Sequence, residues 1–268
     1  VALVVSGLTK FGKHLESYYD MVAALDKLGV LADLPLETDH GESTPPHPRP
    51  IAVTLRAVEL SYGGDPILRG LDLELPAGAR VAITGPSASG KTTLAALLYG
   101  LRQPTSGIVT LDGVDLRDHS LASLRRDVAL AGPIELFAGT IVDNVRMDRR
   151  DIPLAEIRRL LVDLGLEPAL TRLDGDLKAA LQVGGAPLTR SEAARLVLAR
   201  ALLTRPRLLV VDELLDGLDA ADQARILDLI LRDDAPWTAL LFTRSPAVIA
   251  RCDRAYTLDG GALRPLAR

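Results

Sequence analysis

The sequence has little that would staple or anchor it. There is one cysteine, Cys252, so no internal disulfide can form, and a single structural thiol fits a reducing compartment. No apolar run reaches the roughly 18 residues a bilayer crossing needs. The opening Val1-Ala2-Leu3-Val4-Val5 is apolar but short, and it lacks both an initiator Met and a basic flank, so it does not read as a signal peptide. It reads as the cut end of a helix from a longer chain, with a buried N-terminal helix as the alternative. No basic excess is present either. The net charge is −4, so nothing in the composition advertises a nucleic-acid partner, and none is expected. Internal repeats and low-complexity tracts are absent apart from one polar linker.

What remains is ordinary globular material. The 268 residues are 48% hydrophobic and 25% charged, enough for one large or two modest domains with a real core. Residues 1–34 read as helical, because Tyr18, Met21, Val22, Leu25, Leu28 and Leu31 recur at helical spacing. The stretch 37–50 is rich in proline and polar residues and reads as a linker.

From Ile51 onward, strands and helices alternate. Val53, Leu55, Val58 and Leu60 suggest strands, and Leu71, Leu73 and Leu75 alternate with Asp72 and Glu74, the period of a half-buried strand. Val81–Thr84, Leu208–Val211 and Ala239–Phe242 are short apolar strands, and 92–101 and 220–231 are helical. Gly107–Leu111 turns at Asp112-Gly113 into Val114, and Arg254–Leu258 with Gly260-Gly261 forms a last hairpin. Residues 117–204 read as mostly helical. This alternation predicts an α/β fold with a mostly parallel core sheet.

Two motifs carry chemistry. Gly85-Pro86-Ser87-Ala88-Ser89-Gly90-Lys91-Thr92 fits G-x-x-x-x-G-K-[ST], with a strand before it and a helix after it. Such a loop wraps backbone N–H groups around phosphate oxygens and adds the positive end of a helix dipole. Lys91 is expected to bridge the outer phosphates and the Thr92 hydroxyl to ligate Mg²⁺, with Thr93 beside them. The apolar strand Leu208–Val211 ends in Asp212-Glu213. Asp212 is expected to hold the metal, and Glu213 to orient or deprotonate an attacking water.

Together, these motifs and the segments between them resemble the nucleotide-binding domain of ABC transporters, over about residues 51–265. The resemblance implies a P-loop NTPase of the ABC motor type: a parallel core sheet, an antiparallel β-subdomain near 51–80 and 107–116, and a helical subdomain near 130–200. It implies ATP and Mg²⁺ as ligands. Tyr62, in Leu60-Ser-Tyr62-Gly-Gly, resembles the family's aromatic A-loop and would stack on adenine. Asp118–Arg126 and Leu136–Val145 resemble the surroundings of its Q-loop, and Leu196–Leu203 its signature helix. The piece at 1–36, including Leu34-Pro35, resembles the helical exit from the last membrane helix of an exporter, giving domains at 1–36, 37–50 and 51–268. The implied partners are a fused or associated transmembrane domain and a second motor domain, identical or not. The implied place is the cytoplasmic face of an inner or plasma membrane.

The sequence also departs from the family. The Q-loop glutamine falls on Gly132. The signature Leu-Ser-Gly-Gly-Gln, which in the family grips the γ-phosphate held by the partner subunit, falls on Leu188-Thr189-Arg190-Ser191-Glu192, so Arg190 and Ser191 replace both glycines in this trans site and Glu192 adds negative charge. The switch histidine falls on Arg244, which either clamps a phosphate oxygen, as a catalytic residue, or pairs with Glu213 or Asp219. The loop after the strand-end acids, Leu214-Leu-Asp216-Gly-Leu-Asp219, keeps only its end. Losing one preorganised phosphate contact commonly costs about 10²-fold in rate. The expectation is an exporter motor that binds Mg-ATP well. One alternative is a degenerate subunit of a heterodimer whose hydrolysis is slow or partner-dependent. Another is a soluble ABC ATPase without a transport role.

Overall fold

A computed structural model of the chain describes residues 2–33, 37, 39, 41–45, 47–147, 149–173 and 175–266, without the side chains of 2–5, 8 and 9. The chain forms two compact units, Val1–Asp39 and His40–Arg268. In the first, helix α1 spans Ala2–Ala32, in line with the helical spacing of its apolar residues. Leu34 and Pro35 lie outside the described residues. Among those described, no helix is long and apolar enough to cross a membrane.

The second unit starts within the stretch 37–50 expected to be a linker. Glu42 forms a parallel bridge with His119, its N–H donating to Asp118 O at 2.8 Å. Gly41 permits this approach, since a Cβ there would meet the His119 carbonyl carbon at 2.1 Å. Strand β1 (Val53–Ser61) then pairs antiparallel with β2 (Pro66–Leu75). Next come β3 (Arg80–Thr84), helix α2 (Lys91–Leu98), and the hairpin β4 (Ser106–Leu111) and β5 (Val114–Asp115). The sheet β2-β1-β4-β5 is the antiparallel layer.

Helix α3 (Leu121–Asp127) leads into β6 (Val128–Ala131). The predominantly helical stretch holds α4 (Ile141–Arg146), α5 (Leu154–Asp163), α6 (Glu167–Arg172) and α7 (Arg190–Leu202). The small ladder β7 (Gly139–Thr140) with β8 (Ala180–Leu181) lies among them. The chain returns through β9 (Leu208–Asp212), α8 (Ala220–Ile230), β10 (Thr238–Phe242), α9 (Pro246–Ala250), β11 (Arg254–Asp259) and β12 (Ala262–Pro265).

The core sheet runs β12-β11-β3-β10-β9-β6, parallel except for β12. Its strands β10, β9 and β6 are largely apolar and buried because both faces are covered. Alternate residues feed different cores: Leu208, Val210, Leu240 and Phe242 pack with α2 and the antiparallel layer, whereas Leu209, Val211, Ala239 and Leu241 pack with α7 and α8. Arg207 anchors the start of β9. Its guanidinium pairs with Asp112 in the β4–β5 turn and with Asp127, and its Nε donates to Arg49 O. Three strands escaped the sequence reading: the short β7 and β8, and β6, the longest, lie inside 117–204, where mostly helix was expected. The four residues of β6 are too few to show a period, and pairing with β9 makes them a strand.

Candidate functional site

Register places the chemistry at one end of the core sheet. Phe242 of β10 pairs with Ile83 of β3 on one side and Asp212 of β9 on the other. The loops leaving these three strands therefore converge at their carboxyl ends, where open α/β sheets bind ligands.

The loop after β3 is shaped by close approach. A Cβ on Gly85 would lie 2.1 Å from Leu258 O, so only glycine fits. Gly90, at φ +104, caps α2 with no side chain, leaving the first N–H groups of the helix free of side-chain acceptors. Ser87, Ala88, Ser89, Gly90, Lys91, Thr92 and Thr93 line a cavity of about 390 Å³, together with Ile67 and Glu213. Lys91 is 4% exposed. Its Nζ donates to Gly85 O at 3.0 Å and Pro86 O at 2.8 Å, and it lies 3.2 Å from Glu213 Oε1.

Across the cavity, the Thr92 hydroxyl donates to Asp212 Oδ2 at 2.8 Å. The other oxygen, Asp212 Oδ1, is buried without a hydrogen-bond partner. Burial pushes the Asp212 carboxyl above its ordinary pKa and the Glu213 charge adds to this, while the Thr92 hydrogen bond and Lys91 oppose it. An orphaned, desolvated carboxylate oxygen beside a threonine hydroxyl suits a divalent cation. Mg²⁺ takes few protein ligands and completes its shell with water and phosphate.

A second cavity of about 420 Å³ adjoins the first, sharing Thr92 and Glu213 with it. Gly132, Arg190, Asp212, Asp216 and Arg244 line it. Arg244 pairs with neither Glu213 nor Asp219, because Glu213 is engaged by Lys91 and Asp219 caps α8. The residue that holds this segment is Asp216, which sequence reasoning missed: it accepts from the Thr243 hydroxyl and, at 2.8 Å, from the Arg244 backbone N–H.

The end of α7 is closed. The Thr189 hydroxyl accepts from the Glu192 N–H, and the Glu192 carboxylate accepts from the Thr189 N–H at 2.8 Å, a capping box. Arg172 grips Glu192 with two bonds, of 3.1 and 2.7 Å. Burial raises the Glu192 pKa, but Arg172 and Thr189 outweigh it and hold the carboxyl below its ordinary value. The Ser191 hydroxyl is buried without a partner, and Leu188 is half-buried before the cap. Arg172 carries no sequence signal for this role.

Tyr62 follows β1 and is 51% exposed; it does not line the phosphate-loop cavity. The Arg102 guanidinium carbon lies 5.1 Å from its ring centroid, a cation–π contact the sequence did not reveal. Cys252 is buried, its thiol 3.4 Å from Val248 O.

A strand, a glycine-bearing loop and a helix, faced by a strand-end acid pair, define a P-loop nucleotide-binding domain. The family model for ABC transporters matches residues 68–216, more than half of the chain, and the chain belongs to that family. It is 35% identical over 206 residues to the mycobactin import ATP-binding/permease protein IrtB of Mycolicibacterium thermoresistibile, covering 76% of this chain and 35% of that protein. It is 32% identical over 245 residues to the ATP-dependent lipid A-core flippase of Chromobacterium violaceum, covering 90% and 42%. The structure of a bacterial Atm1-family ABC exporter with ATP bound matches 90% of this chain and 43% of its own, at TM-score 0.81 and 28% identity. The fold is thus that of the ATP-binding motor of an ABC exporter, and the chain spans well under half the length of these relatives.

Proposed function

We propose that this chain binds Mg-ATP through Gly85–Thr93 and hydrolyses it to power a membrane domain. The observation that carries this reading is the cluster in which Lys91 meets Glu213 and Thr92 meets Asp212 where two cavities adjoin, with Asp212 Oδ1 lacking any partner. Thr92 and Asp212 hold the Mg²⁺, which supplies charge neutralisation across the phosphates. Lys91 leaves Glu213 for the phosphate oxygens. Glu213, so released, accepts the proton of the attacking water. Tyr62 offers its exposed face to the adenine once Arg102 gives way. The membrane domain, fused or associated, and a second motor domain complete the working transporter at the cytoplasmic face of an inner or plasma membrane. The relatives are named for import and for lipid flipping, so cargo and direction are set outside this chain.

One observation favours a second reading, a hydrolysis-poor subunit that holds nucleotide to shape a heterodimer. The α7 end, where the resemblance puts a phosphate grip, is closed by Thr189, Glu192 and Arg172. Mg-ATP hydrolysis against rising protein concentration separates the two, with Glu213→Gln as blank. Turnover that climbs faster than linearly and vanishes in the mutant supports the hydrolytic motor. Bound ATP with turnover no higher than the blank supports the subunit reading.

A further inference from the structure

The chain entering the motor domain combines two opposite features. Its side chains are shallow: Glu42, Ser43, Pro45 and residues 47–49 are exposed, Gly41, Thr44 and Pro50 are half-buried, and Ile51, 1% exposed, is the first apolar anchor among the described residues of this stretch. Its backbone is nevertheless seated. The Glu42 N–H donates to Asp118 O at 2.8 Å, and the Ser120 N–H donates back to Glu42 O at 3.0 Å. Two residues on, the Thr44 N–H donates to Ser123 Oγ at 3.0 Å, and Arg126 Nη2 donates to Thr44 O at 2.8 Å. Residues 41–44 therefore hold α3 at its cap, Ser120, and near its end, at Arg126. A segment held by hydrogen bonds without apolar burial belongs to the low-stability part of a fold and opens locally.

The grip has a mechanical consequence. Helix α3 continues without a break into β6, whose far end leads to Gly132. Arg126 also donates to Asp127 Oδ1 at 3.1 Å, and Asp127 pairs with Arg207 at the start of β9. A pull arriving along the chain from α1 meets residues 41–44 first and falls on α3. If they let go, the next hold is Arg49–Ile51, where Arg49 O accepts from Arg207 Nε and the Ile51 N–H donates to Arg207 O. The pull then bypasses α3. Gly41 decides whether the first hold can form. A Cβ there would meet His119 C at 2.1 Å, His119 O at 2.2 Å and Ser120 N at 2.5 Å, all backbone atoms that cannot swing aside.

We infer that Gly41–Thr44 is a releasable clasp that sets where α1 pulls on the motor domain. Closed, it leaves seven residues, 34–40, between Asp33 and the first hold, and it directs a pull into α3. Open, it leaves fifteen, 34–48, and the pull reaches Arg207 and β1 instead. The clasp stands apart from the nucleotide reading: a domain whose cavities held no nucleotide would still have it.

The test is to pull the 268-residue chain by its two ends in an optical trap, with amide hydrogen exchange on the same chain as a second readout. The clasp should open as a discrete lengthening before the core sheet yields, limited to about 30 Å by the eight residues, 41–48, that it frees. Gly41→Ala should abolish that step and leave the force at which the core yields unchanged. In exchange, the Glu42 and Thr44 amides should be protected in the parent and unprotected in Gly41→Ala. Ser123→Ala leaves the Glu42 bonds in place, yet it should quicken both amides by about tenfold, the scale of one hydrogen bond, because the clasp opens as a unit. Parent amides that exchange as fast as unstructured chain overturn the inference, as does a Glu42 amide indifferent to Ser123→Ala. A step that persists in Gly41→Ala belongs to another segment and overturns it too. A core that yields earlier in Gly41→Ala would make residues 41–44 a fixed edge of the fold, which is equally fatal to a clasp.

Discussion

Helices α2 and α7 both begin at the site, yet their first turns are opposites. The α2 end is open: its cap is Gly90, no side chain accepts from its leading N–H groups, and a cavity lies in front of them. The α7 end is closed by Thr189 and Glu192, and Arg172 locks the Glu192 carboxylate from outside. An unsatisfied helix N-terminus attracts anions through its N–H groups and dipole. A capped one has given those groups to its own chain, and here it also carries a carboxylate. A phosphate is therefore drawn to the α2 end by backbone, and the α7 end has no free backbone groups of its first turn to match it.

The sharpest way to break this contrast is to close the open end. Serine is among the best N-cap residues in general. At position 90 it should do harm, because φ is +104 and a Cβ would meet the Leu68 side chain at 2.8 Å. Gly90→Ser is expected to cost about 1–3 kcal/mol, the usual strain of a side chain forced into such backbone. Thermal unfolding reads that loss, and Mg-ATP titration should show weaker binding in the same variant. A serine variant as stable as the parent would mean that the loop relaxes freely and that its openness is not enforced.

Opening the closed end is the milder counterpart. Thr189→Ala removes the hydroxyl that accepts from the Glu192 N–H while leaving the carboxylate bonded to Arg172. The expected cost is about 1 kcal/mol, typical of a lost threonine cap. Denaturant unfolding would show it as a lower midpoint with an unchanged slope. No change in the midpoint would mean that Arg172 and Glu192 hold the turn without Thr189.

The two ends were not equally legible in the sequence. The open end follows from local pattern: the short apolar run Val81–Ile83, a spaced pair of glycines, then Lys91-Thr92. The strand-end acids were legible for the same reason, since Leu208–Val211 is apolar throughout. The closed end depends on Arg172, which reaches Glu192 from α6, and no spacing rule foretells such a partner. Asp216 was visible as a departure from the family's loop, but its grip on Thr243 and Arg244 needs β9 and β10 side by side. Strand β6 was hidden because its burial is supplied by β9. Local chemistry could be read, and long-range pairing could not.

The smallest expected effect is in the pH dependence of the closed end. Arg172 and Thr189 hold the Glu192 pKa below its unfolded value, against the opposing push of burial. A depressed carboxylate pKa contributes stability that is complete above the unfolded pKa and is lost as pH falls through the folded pKa. Unfolding free energy of the parent should therefore fall across the acid range by more than that of Glu192→Gln, with the two profiles parallel at neutral pH. The Arg172 side chain is 48% exposed, so added salt should narrow the gap between them. Parallel profiles down through the acid range would mean that Glu192 titrates alike in the folded and unfolded chains. The α7 end would then be closed by the neutral hydrogen bonds of its cap, not by charge.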